Sequence, residues 1–410
     1  MSCTLKNHRA ELAELLGPVF SNLGTQLLAV TSTELCDRVT SEDLFAALPI
    51  PAFTNSQMDG YAARSAELAS ASADCPVILP LGFTAAAGDR RITLLPGSVS
   101  PVMTGAMIPE GADTIIPVEE SSTGSFPDLV RAHQGTPSGQ ATFTAPSKPG
   151  RFIREAGEDL GAGALVAPAG TRLTPTMIAA LASSGLSEIP VRRTLKVALC
   201  TTGDELGGPN PAEGQIPDAN SPMLAALLRR YGVDVRTLQL PDAPDRFAVA
   251  IDQLQEQVDL ILTVGGISAG AYEVVRQALA GRGGNFHHVA IQPGGPQGFA
   301  RLEHSVVLCF PGNPVSALLS VELFLTPLLR VLNGLPEPQP EHYPLAQTVS
   351  SPEHKHQMRR ALLREGQVTI LDPGSHLVHD LARADALVHI PVGVSELTAG
   401  QSVEIWRMNV

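Results

Sequence analysis

The chain has 410 residues, room for roughly two to four domains, and its 44% hydrophobic against 17% charged residues mark a chain that folds around sizeable cores and is not disordered. A formal net charge of −13, from 28 Lys and Arg against 41 Asp and Glu, excludes a nucleic-acid coat, which needs clustered cations, but allows a local pocket for one small anion. Five scattered cysteines (Cys3, Cys36, Cys75, Cys200, Cys309), odd in number and without a CxxC, fit reduced thiols in a cytoplasmic protein. The polar N-terminus lacks a signal-peptide core, and no apolar run reaches the ~20 residues of a membrane helix, so neither nucleic acid nor membrane is expected as a partner.

In chain order, residues 1–30 have mixed character, and Thr40–Leu48 reads as a capped helix stopped by Pro49 and Pro51. From Ala52 to about Ala145 the chain is rich in Gly, Pro, Ser and Thr with short apolar runs such as Val77–Leu81 and Thr114–Val118, the texture of a small β domain. Arg151–Thr174 continues a bend-rich β pattern. Pro175–Ser184 follows as a short helix, with Thr174 as N-cap and Pro175 at the first helical position.

From Leu195 strands and helices alternate. Leu195–Cys200 is a strand, Ser221 caps a helix beginning at Pro222, Val233–Leu240 is a strand and Arg246–Gln257 a helix. Leu260–Val264 is apolar and partly β-branched, as befits a strand buried on both faces, and Ala271–Ala280 reads as a helix. Phe286–Ile291 and Ser305–Phe310 are further strands, and Val315–Leu332 is a long apolar helix interrupted by Pro327. This grammar predicts a three-layer α/β domain on a parallel sheet. The proline-dense linker after Gly334 leads into short alternating runs from Leu345 onward, a small β barrel or sandwich.

In such sheets ligands sit beyond the carboxyl ends of the strands. Three loops fall there: Thr201–Glu205, Gly265–Gly270 and Pro311–Asn313. Gly265, Gly266 and Gly270 allow close backbone approach, a phosphate or oxyanion cradle in outline and equally a tight strand-to-helix connection. Asp204 and Glu205 at a strand end suit Mg²⁺, an oxygen-seeking ion, or helix capping. Ser316, at the start of a helix behind Pro311-Gly-Asn-Pro314, offers an oxyanion site, or Pro314 merely starts the helix. Asp59-Gly60 reads first as a turn, Thr104-Gly105 as a ligand loop or a strand end, and Glu158-Asp159 as ambiguous in the same way. His287-His288 and His354-x-His356 have no Cys or carboxylate at ligand spacing and give little support for a metal.

Taken in series, Asn55–Ala62, Met103–Asp113, Gly157–Leu160, Thr202–Leu206, Gly214–Ile216 with Asp218 and Asn220, Gly265–Gly270, Pro311–Ala317, Gly374-Ser375 and Ala399-Gly400 resemble the molybdopterin molybdenumtransferase family, which includes bacterial MoeA and the E domain of gephyrin. The resemblance covers nearly the whole chain. It implies an elongated multidomain α/β homodimer: a discontinuous α+β domain (1–51 and 147–192), an inserted β domain (52–146), a three-layer parallel-sheet molybdopterin-binding domain (193–333) and a C-terminal β barrel (334–410). It further implies insertion of molybdenum from molybdate into adenylylated molybdopterin, with Mg²⁺ and release of AMP. Molybdoenzymes or cofactor-pathway proteins are implied partners.

By position, the resemblance implies catalytic roles for Asp59, Thr104, Asp159, Glu205, Asp242 and Glu273. Asp59 and Thr104 would complete the site of a partner subunit, and Glu205 would bind Mg²⁺. Substrate binding would fall to Gly265, Gly266, Ser268, Gly270, Pro293, Gly294, Pro296, Pro311, Gly312, Asn313, Ser316, Arg359, Arg360 and Ser375. Two features depart from the family. The usual Lys-Pro-Gly-Lys-Pro is Gln292-Pro-Gly-Gly-Pro296, so two cations are absent, with Arg301, Arg359 and Arg360 as candidate replacements. The aspartate after the glycine loop is Glu273. The alternatives are therefore a non-catalytic paralogue that binds or carries molybdopterin or the finished cofactor, and a scaffold working through protein contacts alone.

Overall fold

The computed structural model describes residues 3–126, 129–208, 210–267 and 273–408. The predicted alternation from Leu195 produces a six-stranded sheet, in spatial order Asp234–Gln239, Lys196–Thr201, Leu260–Val264, Val306–Phe310, Pro296–Arg301 and Asn285–His288. The first four strands are parallel, Pro296–Arg301 runs antiparallel to them, and Asn285–His288 pairs antiparallel with Pro296–Arg301, so the sheet is mixed and not purely parallel. Leu260–Val264 lies at its centre with all five residues buried, which is why its sequence is apolar without alternation.

Helices cover both faces. On one, Phe247, Ile251 and Leu254 of Pro244–Gln255 pack with Val275 and Leu279 of Val274–Ala280 against Ala198, Ile261 and Val307. On the other, Asn220–Arg230 and the helical stretch Pro314–Leu332 share a core with Leu199, Leu262 and Leu308. The third occupant of that face is Leu5–Ser21, a helix the mixed sequence of residues 1–30 does not announce. Thr4 caps it by accepting from the Asn7 amide at 3.1 Å, and Leu12, Leu15 and Leu16 enter the sheet core.

Pro314–Leu332 is long and apolar enough to cross a membrane by composition, yet 72% of it is buried inside the protein, the burial of a core helix. Its irregularity is a π turn at Val321–Leu325, just before Pro327. Proline has no N–H for the Leu323 carbonyl four residues back. Arg9 Nε donates to that carbonyl instead, at 2.7 Å, joining the first helix to the last of this face.

Thr40–Leu48 is not a helix. Its polar groups are spent between strands: Thr40 Oγ1 donates to the Pro168 carbonyl at 2.8 Å, the Ser41 amide donates to the Pro190 carbonyl at 3.1 Å, and Leu44–Phe45 pairs with Leu165–Ala167. The predicted helix Pro175–Ser183 is present, with Thr174 accepting from the Met177 amide. The β-rich region from residue 55 holds a three-stranded sheet, Ser100–Val102, Gly60–Ala63 and Thr114–Pro117, around buried Tyr61. A Cβ at Gly60 would lie 2.1 Å from the Ile116 carbonyl oxygen, so only glycine lets these strands meet.

The C-terminal sheet runs Ile291–Gln292, His356–Arg364, Ala386–Ile390, Ser402–Arg407 and Glu341–Pro344, with Gln367–Ile370 hairpinned on His356–Arg364. Its first strand comes from the preceding α/β region: Ile291 pairs with His356 and Gln292 with Gln357.

Candidate functional site

A cleft of about 840 Å³ opens beyond the carboxyl ends of the central strands, within the usual size of a small-molecule site. Loops after three neighbouring strands line it with Thr202, Gly203 and Glu205, with Gly265, Gly266 and Ile267, and with Pro311, Gly312 and Asn313. Ser268 and Gly270 lie outside the described residues. Pro293, Gly294 and Pro296 form a further wall with Gln292, and Ser316 and Ser375 close the end nearest the C-terminal sheet.

The glycines set how closely these loops approach. Gly203 has φ +134°, and a Cβ there would fall 2.4–2.6 Å from the Glu205 carboxylate, so its absence lets that carboxylate fold back against the backbone. A Cβ at Gly312 would stand 3.3 Å from the Gly265 Cα, which places two strand-end backbones in direct contact.

Glu205, Asp242 and Glu273 supply three carboxylates to the lining. Asp242 Oδ1 accepts from Thr202 Oγ1 at 3.1 Å, which orients it over the first loop. Neither Lys nor Arg is among the described lining residues; the one imidazole is His376. Asn220 also lines the cleft, and its Nδ2 donates to the Gly312 carbonyl at 2.7 Å. The start of its helix is capped by Asp218, whose Oδ1 accepts from the Asn220 and Ser221 amides at 2.9 and 3.0 Å. Ser221 therefore supports Asp218 through its hydroxyl at 2.5 Å and is not itself the cap. Asn220 and His376 are site residues that sequence reasoning does not select. Asn220 had a signal, its place in the Asp218-x-Asn220 element of the motif series.

Three family models match in series: the MoeA N-terminal region (domain I and II) over residues 3–185, a probable molybdopterin binding domain over 198–331, and the MoeA C-terminal region (domain IV) over 343–408. Molybdopterin molybdenumtransferase 2 of Mycobacterium tuberculosis is 38% identical, with 99% of each chain covered. The chain belongs to the molybdopterin molybdenumtransferase (MoeA) family. The molybdopterin molybdenumtransferase of Synechococcus elongatus is 37% identical over 96% of this chain and 97% of that one. A solved MoeA protein of Pyrococcus horikoshii superposes with a TM-score of 0.82 at 26% identity, covering 99% of this chain and 98% of that one.

Within this chain the residues implied by resemblance divide. Asp59, Thr104 and Asp159 are exposed and do not line the cleft. Asp59 Oδ1 accepts from the Thr104 amide at 2.6 Å and from its hydroxyl at 2.7 Å, which makes the two one unit at the paired ends of Gly60–Ala63 and Ser100–Val102.

Arg359 and Arg360 do not reach the cleft either, and the expectation that one of them approaches the anion is corrected. Both are buried. Arg359 Nη2 donates to the Leu371 carbonyl at 2.7 Å, while Arg360 donates to the carbonyls of Leu377, Asp372 and Gly374 at 2.7, 2.5 and 2.8 Å. Arg360 thus shapes the loop that presents Ser375, and Asn313 Nδ2 docks that serine from the other side at 3.2 Å. Arg301 donates to the Leu15 carbonyl at 3.3 Å and lies apart from the lining residues. None of the three arginines stands in for the two lysines. At Gly295 the space a side chain would need is filled: a Cβ there would lie 2.3 Å from the His288 ring.

Proposed function

We propose that this chain inserts molybdenum from molybdate into adenylylated molybdopterin and releases AMP, a step of molybdenum cofactor biosynthesis. The observation that carries the reading is the convergence of Glu205, Asp242 and Glu273 with three glycine-bearing strand-end loops on one cleft. Hard carboxylate oxygens beside a threonine hydroxyl suit Mg²⁺. Glu205, with Asp242 adjacent, would hold the ion, which neutralises charge on phosphoryl oxygens when bound.

The protein's own groups then do the positioning. The Gly265 amide is held by the Phe310 carbonyl and the Val315 amide by the Ser375 carbonyl, so the Gly266 and Ser316 amides would face the oxyanion, with Ser316 and Ser375 as hydroxyl donors. The usual lysines are replaced at Gln292 and Gly295, so the anion's charge falls to the metal, these amides and His376. Names of relatives that match along the whole chain favour the transferase over a non-catalytic carrier. Free thiols at all five cysteines accord with a cytoplasmic setting. The exposed Asp59–Thr104 unit, outside its own cleft, supports a homodimer in which each β region completes the partner's site.

The test is AMP release from adenylylated molybdopterin by the purified protein with Mg²⁺, with and without molybdate. Molybdate-dependent release that disappears in Glu205→Ala is expected. Tight pterin binding without that release would overturn the reading in favour of a carrier.

A further inference from the structure

Away from the cleft, the N-terminal segment meets the edge strand Asn285–His288. The Cys3 amide donates to the His288 carbonyl at 3.1 Å and the Ala290 amide to the Cys3 carbonyl at 2.8 Å, which fixes Cys3 beside the strand. One turn into the first helix, His8 is buried edge-on against Phe324, with ring centroids 4.7 Å apart. His8 Nδ1 lies 3.0 Å from His287 Nε2 and 3.5 Å from Glu11 Oε2, and His287 Nε2 lies 3.7 Å from the same oxygen. Cys3, Glu11 and His287 each offer a ligand atom, and these three lie within 4.8 Å of one another.

Nitrogen, sulfur and carboxylate donors converging from segments some 280 residues apart are a borderline-soft cation's ligand set. Bonds of 2.0–2.1 Å to nitrogen or oxygen in a tetrahedron place neighbouring ligand atoms about 3.3–3.5 Å apart. The His8–Glu11–His287 triangle already has edges of 3.0, 3.5 and 3.7 Å.

We infer that Cys3, His8, Glu11 and His287 form a zinc site that clasps the first helix to the sheet edge. Partly exposed Cys3 and exposed Glu11 turn inward to complete it, and the thiol proton leaves to solvent. Asn285 Oδ1, 3.5 Å from His287 Nδ1, favours the proton on that nitrogen and leaves Nε2 to the metal, the usual outer support of a ligating histidine. Four protein donors leave no open position, which makes the site structural and separate from the Glu205 cleft.

The experiment strips the full-length protein with a chelator, titrates it with Zn²⁺ against a chromophoric competitor, and repeats the titration with Co²⁺. About one equivalent should bind per chain, retained in Glu205→Ala and weakened by roughly 100-fold or more in His287→Gln. The Co²⁺ form should show the strong visible bands of a four-coordinate ion and a thiolate charge-transfer band that Cys3→Ser removes. Because His287→Gln also breaks the ring pair, amide exchange over residues 5–21 is followed as well: Zn²⁺ should slow it in the wild type but not in Glu11→Gln, a change at an exposed side chain. Absence of stoichiometric binding, equal binding by His287→Gln and wild type, or a six-coordinate Co²⁺ spectrum without a thiolate band would show that the cluster is only a histidine pair beside a carboxylate.

Discussion

At the scale of single residues, Gly203 decides where Glu205 can be. Alanine at 203 would put a methyl group into the carboxylate at 2.4–2.6 Å on a backbone with φ +134°, so the carboxylate or the loop must move. Gly203→Ala is expected to lower molybdate-dependent AMP release by roughly 10- to 100-fold, the scale of an ångström's misplacement. Steady-state kinetics should show the loss in kcat while circular dichroism reports a retained fold. A second residue sets acid sensitivity. His389 is buried with Nδ1 3.2 Å from His356 Nε2, and burial, then the charges of His356 and Arg9, push its pKa from 6.5 to about 3. The unfolded chain takes up a proton near pH 6.5 that the folded chain refuses until about pH 3. The stability from this group is therefore whole above pH 6.5 and drains away as pH falls towards 3. From pH 6.5 to 5 the loss is about 2 kcal/mol. Urea midpoints at pH 7 and pH 5 should differ, and His389→Phe should reduce the difference without abolishing it, since His8 is shifted in the same direction.

At the scale of elements, the Asp372–Leu377 loop is held by a side chain that never meets the ligand. The Arg360 fork satisfies three carbonyls at once, a geometry a lysine ammonium cannot reproduce. Arg360→Lys should cost about 2 kcal/mol or more through carbonyls left unpaired. It should also raise the KM for molybdate by freeing Ser375, with both effects read on one preparation by urea unfolding and initial rates. Elements with a local signature were legible in the sequence. Leu260–Val264 is apolar throughout because both its faces are covered, and Thr174-Pro175 fixes its helix start within two residues. Thr40–Leu48 misleads because its hydroxyls and amides are answered by Pro168 and Pro190, partners more than a hundred residues away. The cleft was legible where strand, glycine and helix follow one another. It was illegible at His376, which belongs to no motif of the series, and the resemblance offered Arg359 and Arg360 as anion binders because a sequence cannot say which carbonyls a guanidinium will meet.

At the scale of the molecule, the separation of the Asp59–Thr104 unit from its own cleft makes subunit mixing informative. If the proposed homodimer shares its sites, neither Asp59→Ala nor Glu205→Ala protein should turn over alone, but mixing them should restore a measurable fraction of wild-type AMP release, since one of the two sites in a mixed dimer is intact. Failure of mixing to restore turnover, with subunit exchange shown by mass, would confine each site to one chain. The strand Ile291–Gln292 carries a mechanical consequence as well. It is laced into the C-terminal sheet, while Pro296–Arg301 is laced into the central one, and Pro293, Gly294 and Gly295 alone link them along this wall. Fully drawn out, that tether spans at most ~14 Å. Along this wall the two sheets therefore cannot draw apart by more than that length without unzipping a ladder, so the separation of the Gln292 and Pro296 ends has a short stroke.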